Sequence, residues 1–277
     1  MPFVSTFGGT LHYETLGERS GPPVLLLHAL GASLSMWDLQ AEALQSQFHV
    51  IRFSIRGHGR SQIDPAGELD FDALTRDALL VLDALGVEKA HWCGLSLGGM
   101  TALWAGAHHP ARVVSLIAAS ASAHMPPADL WTTRMTTART EGMGPLAEAA
   151  LDRWFTLDFR RNHGAEINAV REMVRACDPA GYAAACAAIR DMDQRETVGR
   201  INCPALILAG AHDVGTPLPM AQFLHEHIAG SALVSLPGAH LTNIECASAF
   251  NDALLAHLAG PTQREPWPAH ARAARAR

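Results

Sequence analysis

Along most of the chain, short aliphatic runs alternate with stretches whose apolar residues recur at helical spacing. The run at 24–27 precedes a predicted helix near 36–46, the run at 50–53 precedes one near 71–85, and the run at 90–93 precedes one that begins after Ser96. Runs at 113–117, 205–208 and 232–236 continue the series, and a last helix is predicted near 243–258. Uninterrupted apolar runs are the mark of strands covered on both faces, and repeated strand–helix order makes the sheet parallel. The pattern thus predicts an α/β protein with a mostly parallel central sheet covered by helices on both faces.

The rhythm breaks between 124 and 200. There Trp131, Met135, Leu146, Leu151, Trp154 and Phe155 keep helical spacing and no β-rich run intervenes. We read 124–200 as an inserted helical cap on a core made of 1–123 and 201–260. Beyond Gly260, the Pro-rich and then Ala/Arg-rich segment 261–277 reads as a flexible extension.

Composition narrows the function classes. A chain of 277 residues with 48% hydrophobic residues is long enough to bury one large core. The net charge is −6, Lys89 is the sole lysine, and the arginines are scattered except near the C-terminus, so there is no nucleic-acid face. No apolar run approaches the ~18 residues of a membrane span, and the N-terminus lacks the basic and apolar regions of a signal peptide, which points to a cytoplasmic protein off the membrane. Cys93, Cys177, Cys186, Cys203 and Cys246 are odd in number and widely spaced. Reduced, packed thiols fit that better than disulfides or a metal cage.

The chemistry centres on Gly94-Leu95-Ser96-Leu97-Gly98, which follows an apolar run and opens a helical one. Gly-x-Ser-x-Gly at a strand-to-helix turn holds a serine in strained backbone with its hydroxyl exposed above a parallel sheet. A serine hydroxyl needs a base, and the base needs a third group to fix its tautomer, in the chain order serine, acid, histidine. Asp213 follows the run ending near 208, and His240 follows the run ending at 236, so both loops reach the rim that carries Ser96. Two donors must face the oxygen that becomes negative. The Leu97 N–H is one, and the loop His28-Ala29-Leu30-Gly31 supplies the other, from Leu30 or its neighbour Ala29. Arg56-Gly57-His58-Gly59-Arg60-Ser61 reads as a scaffold loop, and His108 and His109 as the end of the helix after the elbow.

With these residues, the chain resembles the α/β-hydrolase superfamily over about residues 3–259. Within it the chain is most similar to the 3-oxoadipate enol-lactonases of aromatic-compound degradation. The narrower likeness rests on Gly94-Leu95-Ser96-Leu97-Gly98-Gly99-Met100, Ala138-Arg139-Thr140-Glu141-Gly142-Met143, Arg153-Trp154-Phe155, Asp178-Pro179-Ala180-Gly181-Tyr182 and His240-Leu241-Thr242-Asn243-Ile244-Glu245. Ser54 departs from the aspartate common in the family two residues before the arginine of the Arg-Gly-His-Gly loop, and 261–277 extends past the family's usual end. The resemblance implies the α/β-hydrolase fold and hydrolysis of a small lactone bearing a carboxymethyl group to 3-oxoadipate. The route is an acyl-enzyme on Ser96, with no metal or organic cofactor. Alternatives are a general carboxylesterase, a cofactor-free perhydrolase, or a non-catalytic ligand-binding protein on the same fold.

An anionic substrate also needs a cation under the cap, because a carboxylate entering an apolar pocket loses its hydration. Arg134 lies three residues after Trp131 on one helix face and is the candidate, with Arg139 and Arg153 as substitutes. Trp131 and Trp154 then serve as walls around the lactone ring.

Overall fold

The computed structural model describes residues 2–6, 8–64 and 69–260. Its strands are β1 (Phe3–Thr6), β2 (Gly9–Leu16), β3 (Pro23–Leu27), β4 (His49–Phe53), β5 (Ala90–Leu95), β6 (Val113–Ala119), β7 (Ala205–Gly210) and β8 (Ala232–Leu236). They form one sheet in the order β1-β2-β4-β3-β5-β6-β7-β8. From β4 to β8 every pairing is parallel, whereas β2 runs antiparallel to β4 and β1 antiparallel to β2. The fold is the expected mostly parallel α/β sheet. Helices α1 (Asp38–Leu44), α2 (Phe71–Ala84) and α3 (Leu97–His108) follow β3, β4 and β5, and α9 (Leu218–His227) connects β7 to β8. Helix α2 starts where the Asp70 carboxylate accepts the Ala73 N–H at 2.7 Å, a side-chain N-cap. No helix among the described residues is long and apolar enough to cross a membrane.

The helix predicted near 36–46 is a single 3₁₀ turn, Leu34–Trp37, followed by α1. The helix predicted near 243–258 is two pieces, α10 (Thr242–Glu245) and α11 (Ala247–Leu258), separated at Cys246. The short first piece keeps Asn243 in the core, where its Nδ2 donates to the Met36 carbonyl at 2.8 Å and its own carbonyl accepts from Gln40 Nε2 at 2.9 Å. The predicted extension over 261–277 lies outside the described residues.

Between β6 and β7 the chain forms α4 (Ala128–Glu141), α5 (Gly144–Trp154), α6 (Leu157–Asn162), α7 (Gly164–Arg175) and α8 (Pro179–Asp191). Its two ends meet: His124 bridges Asp193, and the Gln194 N–H donates to the Ala123 carbonyl at 2.7 Å. The far side is anchored through the Arg56–Ser61 loop. The Asp178 N–H donates to the Gly57 carbonyl at 3.0 Å, and a Cβ on Gly181 would stand 2.4 Å from Gly57 Cα. Only paired glycines let the start of α8 rest backbone to backbone on that loop.

The same loop is pinned from below by a buried bidentate ion pair. Arg56 Nε and Nη2 donate to Asp77 Oδ2 and Oδ1 at 2.5 and 2.7 Å. Burial pushes the Asp77 carboxyl up, and Arg56 opposes that shift. Ser54, at the position of the family aspartate, is not idle: its Oγ accepts the Leu34 N–H at 3.2 Å and its carbonyl accepts the Ser61 hydroxyl at 2.5 Å. All five cysteines are free thiols.

Two fully buried histidines lie side by side in this scaffold, His28 and His58, with ring centroids 5.2 Å apart. His28 uses both nitrogens as a neutral ring: Nδ1 bonds the Ala29 carbonyl at 2.7 Å, and Nε2 accepts the Ile55 N–H at 2.8 Å. Burial first, and then His58, lowers His28 from 6.5 to about 3; burial lowers His58 to about 4. Both are therefore neutral in the native protein while the unfolded chain begins to protonate them near 6.5. Stability falls as pH drops from there toward the folded values, by up to roughly 1.4 kcal/mol per pH unit per group. The urea midpoint should drop between about pH 7 and pH 5; an unchanged midpoint would mean the two rings titrate normally.

Candidate active site

Strand β5 runs into the elbow, and the reason for its glycines is visible in the backbone. A Cβ on Gly94 would lie 2.1 Å from the Gly98 carbonyl oxygen, and one on Gly98 would lie 2.0 Å from the Leu27 carbonyl oxygen. Between them Ser96 adopts φ 55°, ψ −116°, an uncommon conformation for a side-chain-bearing residue, and its N–H donates to the Ala119 carbonyl at 2.8 Å. Its hydroxyl makes no hydrogen bond among the described residues and faces a cavity of about 390 Å³. Leu97 is the first residue of α3, where an N–H has no acceptor within the helix.

The loop after β3 turns toward the same point. The Ala29 N–H is engaged by Met36 Sδ at 3.2 Å, and Gly31 has φ +77°, so the chain bends with Leu30 lining the cavity. The Leu30 N–H has no partner among the described residues. Of the two neighbours, Leu30 is the one whose N–H is unengaged among the described residues.

His240 lies in the loop after β8, and its Nδ1 bonds Asp213 Oδ2 at 2.7 Å. Asp213 is held in turn by four donors. Its Oδ1 accepts the N–H groups of Gly215 and Thr216 at 2.8 and 3.0 Å, and Oδ2 also accepts the Thr216 hydroxyl at 2.6 Å. Burial alone would raise this carboxyl, but the facing His240 and the hydrogen bonds from His240 and Thr216 hold it well below the usual carboxylate range. A carboxylate accepting at Nδ1 puts the proton there and leaves Nε2 with its lone pair.

Sequence reasoning did not find what fixes the backbone of His240. Ser120, at the end of β6 with φ 45°, donates its hydroxyl to the His240 carbonyl at 2.8 Å. The Leu241 N–H donates to the Trp154 carbonyl at 3.1 Å. Glu245 Oε2 accepts the Ala239 N–H at 2.8 Å while Oε1 accepts the Thr156 N–H at 3.1 Å and its hydroxyl. The histidine loop is thereby tied to the cap on both sides of His240. A positive φ at a serine and a carboxylate reaching 89 residues back are invisible to local spacing.

The cap forms the roof. Trp131, Arg134 and Trp154 all line the cavity with Ser96, Leu30 and His240. The Trp154 ring lies nearly parallel to His240, with centroids 6.4 Å apart. Trp131 donates Nε1–H to the Met125 carbonyl at 2.7 Å, and the Arg134 guanidinium stands 4.6 Å from its ring centroid. Arg153 also lines the cavity, whereas Arg139 is exposed and does not. Tyr182 joins the roof from α8, close against Gly31.

A family profile described as alpha/beta hydrolase fold matches residues 22–141. The 3-oxoadipate enol-lactonase 2 of Acinetobacter baylyi is 36% identical over 244 residues, 88% of this chain and 91% of that protein. The crystal structure of the enol-lactonase from Burkholderia xenovorans LB400 matches with a TM-score of 0.90 at 36% identity, over 93% of this chain and 100% of that one. A thermophilic esterase from Thermogutta terrifontis, solved with malate bound, matches with a TM-score of 0.87 at 28% identity, over 94% of this chain and 98% of that one.

The contribution of the Glu245 staple to stability can be tested by removing its carboxylate. Glu245→Ala leaves the Ala239 and Thr156 donors without their acceptor, which should cost about 1–3 kcal/mol of unfolding free energy. A urea titration giving wild-type stability would show that those donors are satisfied equally well by water.

Proposed function

The chain belongs to the α/β-hydrolase family of enzymes, and on that premise we propose that it opens 3-oxoadipate enol-lactone to 3-oxoadipate, in the β-ketoadipate branch of aromatic-compound degradation. The observation that carries this reading is the pairing, in one cavity, of Ser96 and His240 with a guanidinium under the cap, at Arg134, that makes no ion pair with a carboxylate among the described residues. The likeness to enol-lactonases supports the same substrate.

In this mechanism Ser96 Oγ attacks the lactone carbonyl carbon as His240 Nε2 takes its proton. The carbonyl oxygen gains the negative charge and is held by the N–H groups of Leu30 and Leu97. Collapse of the tetrahedral intermediate breaks the ring C–O bond. The leaving enolate accepts the proton from His240 and settles as the ketone, still attached to the acyl group on Ser96. Water then attacks the acyl-enzyme as His240 takes its proton, and the second collapse returns that proton to Ser96 and frees the new carboxylate. Asp213 keeps the imidazole in the Nδ1–H tautomer and stabilises its charged form. Arg134 receives the carboxymethyl carboxylate, and the Trp131 and Trp154 rings flank the lactone.

A general carboxylesterase would use the same serine and histidine with no need of the guanidinium. Freshly generated 3-oxoadipate enol-lactone and a neutral aryl acetate, assayed side by side, separate the two. The lactone should be preferred, and Arg134→Ala should raise its KM strongly while changing aryl acetate turnover little. Equal losses on both substrates would remove Arg134 from substrate recognition, and a preference for the aryl acetate would favour the esterase.

Ser96→Ala, His240→Ala and Asp213→Asn should each lower turnover by several orders of magnitude with the fold intact. Because Asp213 is held well below the usual carboxylate range, its protonation should not appear in the acid limb of the activity profile. An acid limb with two ionisations would place a second titrating group in the reaction.

A further inference from the structure

The loop that carries the Leu30 N–H is held on both sides of Ala29. The Ala29 carbonyl and the Leu30 N–H belong to one planar trans peptide and point to opposite edges of it, so whatever fixes the carbonyl aims the N–H. Two groups fix it: the Ala32 N–H donates to the Ala29 carbonyl at 3.0 Å, and His28 Nδ1 bonds it at 2.7 Å. The preceding peptide presents the Ala29 N–H, which donates to Met36 Sδ at 3.2 Å. Ala29 and Met36 are only 1% and 3% exposed, so water has no ready access to replace that acceptor.

A thioether is a weak acceptor, and it holds a donor well only if it is itself held. Met36 lies in the 3₁₀ turn Leu34–Trp37, its N–H donates to the Ser33 carbonyl at 3.1 Å, and its carbonyl accepts Asn243 Nδ2–H at 2.8 Å. Asn243 is fully buried three residues beyond His240. It is braced by Gln40, whose Nε2 donates to the Asn243 carbonyl at 2.9 Å and whose Oε1 accepts from Asn243 Nδ2 at 3.2 Å. A continuous path of hydrogen bonds thus runs from the histidine loop through Asn243 and Met36 to the peptide before the Leu30 N–H. Met36 is not among the residues that line the cavity, so it meets no substrate there.

We propose that Met36 is a positioning residue for the oxyanion site: by accepting the Ala29 N–H, its sulfur sets the chain at Ala29 and keeps the Leu30 N–H facing the oxygen that becomes negative in the tetrahedral intermediate. The inference rests on the reading of Ser96 as nucleophile and of Leu30 and Leu97 as donors to that oxygen. An acceptor role ranks substitutions in an order that packing alone would reverse. Leucine fills nearly the same volume as methionine and offers no acceptor, whereas glutamine suits an apolar core less well but places a carbonyl oxygen near the site of the sulfur. Acceptance of the Ala29 N–H therefore makes Met36→Gln the more active variant per folded molecule. Packing would make it the less active one.

The test uses the full-length protein with a neutral aryl acetate as substrate and an aryl trifluoromethyl ketone as probe of the oxyanion site. Ser96 Oγ adds to the ketone carbon, its proton passes to His240, and the former carbonyl oxygen carries the negative charge before the Leu30 and Leu97 N–H groups. Met36→Leu should lower kcat about tenfold or more while KM changes less than about twofold, and should weaken ketone binding by a similar factor to kcat. Met36→Gln should recover part of both losses. Circular dichroism and urea midpoints on every variant restrict the comparison to folded protein, and if Met36→Gln does not fold, the kcat, KM and ketone affinity of Met36→Leu decide alone. Unchanged kcat and ketone affinity in Met36→Leu, a loss carried by KM, or a Met36→Leu more active than Met36→Gln would overturn the proposal. The reading beneath it has a separate control, since tight ketone binding should vanish in Ser96→Ala. If it persists, the serine and oxyanion assignments fail and the proposal falls with them. If it vanishes while Met36→Leu behaves as wild type, those assignments stand and the role of Met36 alone is lost.

Discussion

Helix α3 leaves the elbow in direct backbone contact with strand β3, and the whole arrangement around Ser96 follows from that contact. With no room for a side chain between Gly98 and the Leu27 carbonyl, the helix start and the end of β3 are drawn to one spot on the rim of the sheet. The first residue of the helix, Leu97, and Leu30, three residues past β3, are thereby brought to the rim that carries Ser96, where Leu30 lines the cavity with it. Parallel strands extend the same logic sideways. Their C-terminal ends all emerge on one edge, so the loops after β6, β7 and β8 bring Ser120, Asp213 and His240 together without any long excursion of chain. An antiparallel neighbour would have sent alternate loops to the opposite edge.

Much of this was legible before any coordinates. Strands covered on both faces must be continuously apolar, and β3, β4, β5, β6 and β7 were visible for that reason. The residues proposed for chemistry were visible because each follows a strand end. The edge hairpin β1–β2 was not, since a strand with one open face mixes His12, Glu14 and Thr15 with Leu11 and Tyr13 and gives no clean run. Helix α9 was missed because only Ala221 and Leu224 of its ten residues are buried, which leaves little periodicity to detect. Arg153 stood as a substitute for Arg134 because helical spacing assigns a face within one helix and says nothing about two helices meeting over a cavity. Ser120 and Glu245 act through partners far away in the chain, and no local pattern encodes them.

The Asp178-Pro179-Ala180-Gly181-Tyr182 motif, which marked a family likeness in the sequence, has a mechanical meaning in three dimensions. Asp178 caps α8 by accepting the Ala180 N–H and also donates its own N–H to Gly57, so the helix starts at a fixed point on the Arg56–Ser61 loop. Gly181 brings the two backbones together, and Tyr182 then reaches the turn at Gly31 beside Leu30. The position of the cap, the scaffold loop and the turn that carries the Leu30 N–H are thus set by five consecutive residues. Below them, the Arg56–Asp77 pair and the neutral ring of His28 keep that loop from shifting.

The segment that carries α4 to α8 is closed off between Ala123 and Gln194, two residues joined by a hydrogen bond, a narrower span than the 124–200 read from the sequence. The entropy of closing a loop grows only with the logarithm of its length, so the sheet is nearly indifferent to how much chain is threaded between those two points. The core behaves as a chassis with a single socket. Whatever is seated there roofs the cavity over Ser96, so a different insert could be built between the same two points without altering the sheet beneath it.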